Sequence, residues 1–188
     1  MTEDFIRRYE LDSTTCDELV NYFWSNQDKY ENQKQNTLRI KGKKSKDVYV
    51  DLYSMRDTPC VAKYDEHLAQ SIRKYCDAFP ILYKANPFAV IETLNIQWYD
   101  KGWGFKEYHA ERTGKLDSSI KRILVFMTYL NTVPDGGTDF KYYNHTETAV
   151  KGKTLIWPSD WTHTHRSHIT TEHEKIIITG WISYQWDY

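Results

Sequence analysis

Apolar residues recur along this chain in two rhythms, and the change from one to the other divides it near Phe88. Before that point the spacing is helical. Cys16, Leu19, Val20 and Phe23 follow at three- to four-residue steps behind Thr15 and Glu18, which are spaced as a capping box, so an amphipathic helix is expected to about Lys29. A second helix is expected from Asp65, with Leu68, Ile72, Tyr75 and Phe79 on one face and Pro80 as its stop. Phe5, Ile6, Tyr9 and Leu11 read as a short strand ahead of both. Residues 30–47, rich in Asn, Gln and Lys, read as a loop whose KGKKSK cluster is solvated surface, with a substrate-facing role as the alternative.

After Phe88 the period becomes two. Leu94, Ile96 and Trp98 alternate with Asn95, Gln97 and Tyr99, and further strands are expected at 106–111, 122–130, 138–143, 146–150, 154–157, 161–165 and 175–184. Turn residues separate several of them, notably Pro134-Asp135-Gly136-Gly137 and Pro158-Ser159-Asp160. Helices followed by short strands without intervening helices predict an antiparallel sandwich or barrel backed by the N-terminal helices. No repeat or linker divides the chain, so one unit over 1–188 is expected, with 1–87 as helical support and loop and 88–188 as the β core.

Composition narrows this only slightly. A formal charge of -1 gives no overall footprint for nucleic acid, and no run approaches the roughly 18 apolar residues of a membrane span. Mean hydropathy is negative, yet 7 Trp, 15 Tyr and 7 Phe supply a core, so the chain reads as globular. Three cysteines without CxxC spacing, and a start lacking a secretory apolar segment, predict a reducing, cytoplasmic setting.

The candidate chemistry concentrates in residues 157–181, which hold four of the seven histidines and Lys175 at the entry of an apolar strand. Imidazoles are borderline ligands for transition metals, and a lysine entering a buried strand needs an anionic partner. Two histidines and one carboxylate form a facial set that leaves open positions on ferrous iron, and His-x-Asp/Glu on a strand puts two of them on one face. Two pairs have that form, His109/Glu111 and His145/Glu147. In a jelly roll the pair and the distant histidine sit on strands separated by several others, which needs roughly 40 residues or more. His109 lies 56 residues before His165 and His145 only 20, which favours His109 and Glu111. Periodicity alone leaves His163 and His165 both open as the distal ligand.

These residues resemble the 2-oxoglutarate and Fe(II)-dependent dioxygenases of the prolyl-4-hydroxylase group, especially small phage and bacterial members. The likeness is detailed from Tyr99 to Tyr184: RILVFMTYLN, then DGGTDF, then a strand with Lys175, Thr179 and Trp181 at even spacing. It implies a double-stranded β-helix, or jelly-roll, core. In that family a basic residue follows the distal histidine by about nine or ten positions. Lys175 stands ten after His165, so the resemblance implies His109, Glu111 and His165 as metal ligands. It also implies Tyr99, Tyr129, Lys175 and Thr179 as contacts of 2-oxoglutarate. Two positions depart from the pattern: Glu111 stands where aspartate is more frequent, and Ser167 where glycine is.

The implied activity is hydroxylation of a C–H bond, with O2 and 2-oxoglutarate as cosubstrates, succinate and CO2 released, and ascorbate as a reductant. Family likeness favours a prolyl or other peptidyl substrate, with Trp103, Trp161, His168 and Trp181 expected along its groove and residues 30–57 long enough to close over a peptide. A small metabolite or nucleobase is the alternative substrate. A cupin-like metal-binding protein without 2-oxoglutarate is the alternative function, and Lys175 is what such a protein does not need.

Overall fold

A computed structural model describes residues 3–27, 42–52, 56–114 and 117–185 of the protein. Strand β1 (Arg7–Glu10) leads into helix α1 (Ser13–Asn26), capped by Asp12, whose carboxylate accepts from the Thr15 backbone N–H at 2.8 Å. The expected Thr15/Glu18 box is therefore displaced by one turn: Thr15 lies inside the helix, and Glu18 pairs instead with Lys63. Strands β2 (Lys43–Lys44) and β3 (Lys46–Val50) follow. They replace the end of the loop expected over 30–47; residues 30–41 and 53–55 of the segment expected to close over a peptide lie outside the described residues. Helix α2 runs Pro59–Ala78 and starts six residues before Asp65, because Pro59 has the fixed φ that suits a first helical turn.

The remaining strands are β4 (Phe88–Ala89), β5 (Leu94–Tyr99), β6 (Gly104–Phe105), β7 (Arg122–Tyr129), β8 (Val133–Phe140), β9 (His145–Ala149), β10 (Lys153–Pro158), β11 (His165–His168) and β12 (Lys175–Tyr184). A short helix α3 (Asp117–Lys121) precedes β7. Seven strands form the major sheet in the order β1-β10-β7-β12-β5-β3, with β4 beside β12. A minor sheet is ordered β11-β8-β9, and β2 pairs with β6. Every pairing is antiparallel, in agreement with the expected jelly roll backed by helices.

Other expected features differ. Residues 134–137 are drawn into β8 rather than forming a turn, with the register slipping between Val133 and Gly137; Gly137 takes φ +149° where a Cβ would strike the Glu147 carbonyl. Residues 106–111 form no extended strand. A single bridge ties His109 to His165 there, through backbone bonds of 3.0 and 2.9 Å.

The major sheet is covered on both faces. On one, α1 and α2 bury Leu19, Phe23, Tyr64 and Leu68 against Leu94, Ile96, Phe126 and Ile178. On the other, Tyr99, Val125, Met127, Tyr129 and Ile177 pack with Phe140 and Trp157 beneath the minor sheet. Strand alternation assigns each residue to its face. Gly180 is required on the helical face, because a Cβ there would come within 2.6 Å of both Leu94 Cδ2 and Phe126 Cζ.

Candidate active site

The second face encloses a cavity of about 320 Å³, and the two halves of the sequence signal meet at its edge. His109 is carried by the loop after β6, and its bridge to β11 sets it beside His165. Glu111 is fixed two residues on, its N–H bonded to the Ser159 carbonyl at 3.1 Å. The imidazole rings of His109 and His165 lie 4.5 Å apart, and one ligand atom from each of His109, Glu111 and His165 lies within 4.8 Å of the others. Glu111 Oε1 stands 3.4 Å from His109 Nε2 and 3.7 Å from His165 Nε2.

Backbone contacts orient both rings. His109 Nδ1 lies 2.9 Å from the Glu107 carbonyl and His165 Nδ1 lies 2.9 Å from the His163 carbonyl, so each Nδ1 is the donor and each Nε2 faces Glu111. Phe105 stacks on His109 at 3.7 Å. Glu111 Oε2 accepts the Trp181 indole N–H at 2.9 Å and lies 3.4 Å from Arg122, which is itself gripped by Glu92 at 2.6 Å and stacked on Trp181 at 3.5 Å. Burial would raise the Glu111 carboxyl, but His109, His165 and Arg122 outweigh it and hold it at about 2. Burial, reinforced by His109, lowers His165 to about 4, so this ring is neutral near pH 7. Two neutral-capable imidazole nitrogens and one ionised carboxylate, converging beside a cavity, are a donor set that fits a divalent first-row metal with open positions.

His163 is turned away. It ends a short 3₁₀ turn (Trp161–His163) instead of a strand, and its Nε2 meets the Tyr143 hydroxyl and the Asp4 carbonyl, both at 3.0 Å. The i, i+2 relation with His165 therefore never places them on one face. His145, on β9, bonds Glu147 at 2.8 Å, away from the cavity.

Deeper in the cavity Lys175 is only 2% exposed. Its ammonium donates to Ser167 Oγ at 2.5 Å and to the His168 and Gly137 carbonyls at 3.2 and 3.3 Å, all neutral acceptors. Burial lowers it to about 8 against the pull of Asp139 and Asp135. Tyr129 bonds Thr138 Oγ1 at 2.7 Å, Tyr99 donates to Gln97 at 2.5 Å, and burial raises both phenols. Tyr99, Tyr129, Lys175, Thr179 and Trp181 all line the cavity, although the Thr179 hydroxyl itself donates to the Phe126 carbonyl at 2.8 Å.

Three residues expected along a substrate groove are not among those lining this cavity. Trp103 packs edge-on against Trp98 under Lys44, Trp161 is 69% exposed beside Tyr142, and His168 bonds Asp139 at 3.1 Å outside the cavity wall. Aromatic residues near a signature motif carry no face information unless the strand they sit on is known. Arg122 and Glu92 escaped sequence reading, though an arginine opening an otherwise apolar strand, RILVFMTY, is a signal for a buried partner. Lys43 lies in the lysine-rich run read as solvated surface, with a substrate-facing role only as the alternative, and Asp47 as its partner escaped the reading.

Residues 94–183 match the model of the 2OG-Fe(II) oxygenase superfamily. Among solved structures, viral collagen prolyl hydroxylase from Paramecium Bursaria Chlorella virus-1, in a complex with 2OG, superposes with a TM-score of 0.70 at 17% identity, over 96% of this chain and 97% of its own. A prolyl-4-hydroxylase from Pseudomonas putida gives 0.66 at 15% identity over 97% and 94%. A prolyl hydroxylase from Trichoplax adhaerens, in complex with a hypoxia inducible factor oxygen degradation domain peptide fragment, gives 0.61 at 13% over 96% and 84%. No curated protein sequence matches the chain. With the His109–Glu111–His165 cluster and Lys175 both inside the matched segment, residues 94–183 carry a 2OG-Fe(II) oxygenase domain, and the chain has the fold of prolyl hydroxylases.

Proposed function

We propose that His109, Glu111 and His165 hold Fe(II), that 2-oxoglutarate binds with its far carboxylate on Lys175, and that the protein hydroxylates a C–H bond of a prolyl or other peptidyl residue. The carrying observation is a buried ammonium with only neutral partners in the same cavity as the three converging ligand atoms. A purely structural metal site has no use for that cation, whereas a dicarboxylate reaching from the metal would offset its desolvation.

Bound iron with 2-oxoglutarate would supply the oxidising power, the cosubstrate leaving as succinate and CO2. The chain's own residues orient and exclude. The Glu107 and His163 carbonyls fix the imidazole tautomers, Trp181 and Arg122 hold Glu111, and Phe105 covers His109. Tyr129 and Ser167 stand with Lys175 to receive a carboxylate, while Met127, Val125 and Ile177 keep the interior dry. The peptidyl substrate is supported by fold likeness to prolyl hydroxylases, one of them in complex with a peptide fragment.

Anaerobic titration of the metal-free protein with Fe(II) and then 2-oxoglutarate tests the reading. The expected result is the weak charge-transfer band in the visible that chelation by 2-oxoglutarate produces. Iron binding without that band would overturn the 2-oxoglutarate assignment. Mass spectrometry of proline-containing peptides for one added oxygen tests the substrate.

A further inference from the structure

The cavity has a wall that iron and 2-oxoglutarate do not account for. Lys43 on β2 and Asp47 on β3 line it, facing each other with Nζ to Oδ2 at 2.7 Å, and their side chains are only 7% and 5% exposed. Ser45 Oγ donates to the other carboxylate oxygen of Asp47 at 2.6 Å. Register ties the pair to the site. Lys43 lies opposite Phe105, whose ring stacks on His109, and Asp47 lies opposite Gln97 on β5.

Burying an ion pair brings no net stability over two apolar residues of similar size, so its position in a cavity wall points to what enters the cavity. The pair retains bonding capacity: an ammonium has three donors and a carboxylate about four acceptor sites. Lys43 uses one donor on Asp47, and each Asp47 oxygen accepts one bond from the protein. Asn95, opposite Tyr49 on the same wall, is nine-tenths buried with its carboxamide oxygen unpartnered. The wall thus offers donor and acceptor side by side at zero net charge. A singly charged group would be attracted by one member and repelled by the other. A group presenting an N–H and a C=O on one side satisfies both, and one residue of an extended peptide does so, as in an antiparallel pair.

We propose that Lys43 and Asp47 form an electroneutral subsite that binds the main chain of a peptide substrate, Asp47 accepting an N–H and Lys43 donating to the C=O of the same extended residue. Proline has no N–H, so that residue is a neighbour of a prolyl target, not the target itself. The inference rests on the peptidyl reading above.

The probe is an acetylated, amidated Ala-Pro-Gly peptide, with a second version N-methylated at glycine and a third at alanine, titrated calorimetrically into protein loaded with Zn(II) and 2-oxoglutarate. Asp47→Asn and Lys43→Met are expected to weaken the unmethylated peptide at least about tenfold, the size of one charge-assisted hydrogen bond. Their affinity for 2-oxoglutarate should stay at the wild-type value. One of the N-methylated peptides should bind wild type more weakly while binding Asp47→Asn no worse than its parent does. Lys43→Met/Asp47→Leu, which leaves no unpaired charge, guards against misfolding and should show the same loss. If the variants bind peptide as wild type does, the subsite is overturned and the peptidyl reading stands. If wild type binds none of the peptides, the peptidyl reading falls and takes the subsite with it.

Discussion

The two faces of the major sheet are built from the same strands and do opposite things. Along β12, Ile176, Ile178 and Ile182 enter the core beneath the helices, while Lys175, Ile177, Thr179 and Trp181 turn to the cavity. β5 repeats the division, with Leu94, Ile96 and Trp98 on one side and Asn95, Gln97 and Tyr99 on the other. The helical face is almost wholly apolar, its main exception being a linear chain of hydrogen bonds from Tyr64 through Thr128 and Thr154 to His67, at 2.7 to 3.0 Å. The cavity face holds a buried lysine, two buried phenols and a carboxamide oxygen without a partner. Stability is concentrated on one face, and the other carries polar groups at a cost to stability that bound ligands would offset. If that division is real, substitutions at neighbouring residues of one strand should move different observables.

The largest effects should come from one substitution on each face. Phe126→Ala, on the helical face, should cost about 3–5 kcal/mol of unfolding free energy in urea, because Leu94 and Gly180 are packed around that ring and cannot fill the space. Affinity for 2-oxoglutarate per folded molecule should not change; a parallel loss would mean that the faces are coupled. Lys175→Met should do the reverse. It removes a charge whose burial depresses its pKa to about 8, so stability should hold or rise, by up to roughly 3 kcal/mol near neutral pH. Affinity for 2-oxoglutarate should fall by at least about a hundredfold, as when one partner of a buried pair is deleted. Equal loss of iron and 2-oxoglutarate affinity would show that Lys175 supports the metal site and does not anchor the cosubstrate.

Trp181→Phe is the next step down and sharpens the comparison within β12. It keeps most of the packing and removes the indole N–H that Glu111 accepts at 2.9 Å. Iron affinity should fall about 10- to 100-fold, the usual cost of losing an outer partner of a metal ligand, with little change in the urea midpoint. An unchanged iron affinity would leave Arg122 as the sole support of Glu111.

Much of this division is legible in the sequence, and the exceptions have identifiable causes. Period-two alternation gives β12 its full span and by itself puts Lys175, Thr179 and Trp181 on one side. Chain separation favours His109 over His145 because strand and turn lengths bound how a jelly roll can bring distant residues together. Periodicity fails where no regular strand exists. His163 sits in a 3₁₀ turn and residues 106–111 in a loop held by one bridge, so neither follows a two-residue rule. Lys43 is unreadable for a different reason: a lysine is driven inside only by a specific partner, and Asp47, four residues on, becomes that partner through the turn between β2 and β3.

The smallest effect is graded with pH, and the two faces should meet it at opposite ends. On the helical face burial lowers the His67 pKa while its Nε2 bonds Thr154 at 2.9 Å. The unfolded chain then binds the extra proton first, so this histidine's contribution to stability is present at neutral pH and is lost as pH falls below the ordinary histidine value. On the cavity face Lys175 titrates at about 8 in the ligand-free protein. Below that value the ammonium is ready to meet a dianion; above it, binding must first take up a proton, and affinity for 2-oxoglutarate should fall by about tenfold per pH unit. Calorimetry in two buffers of different ionisation enthalpy should show proton uptake on binding approaching one above about pH 9 and vanishing below about pH 7. A flat affinity across that range would mean that the cation meeting the far carboxylate is not Lys175. The acid limb of stability should remain in Lys175→Met and shrink without vanishing in His67→Gln, because His163 and His165, also lowered by burial, lose stability over the same range.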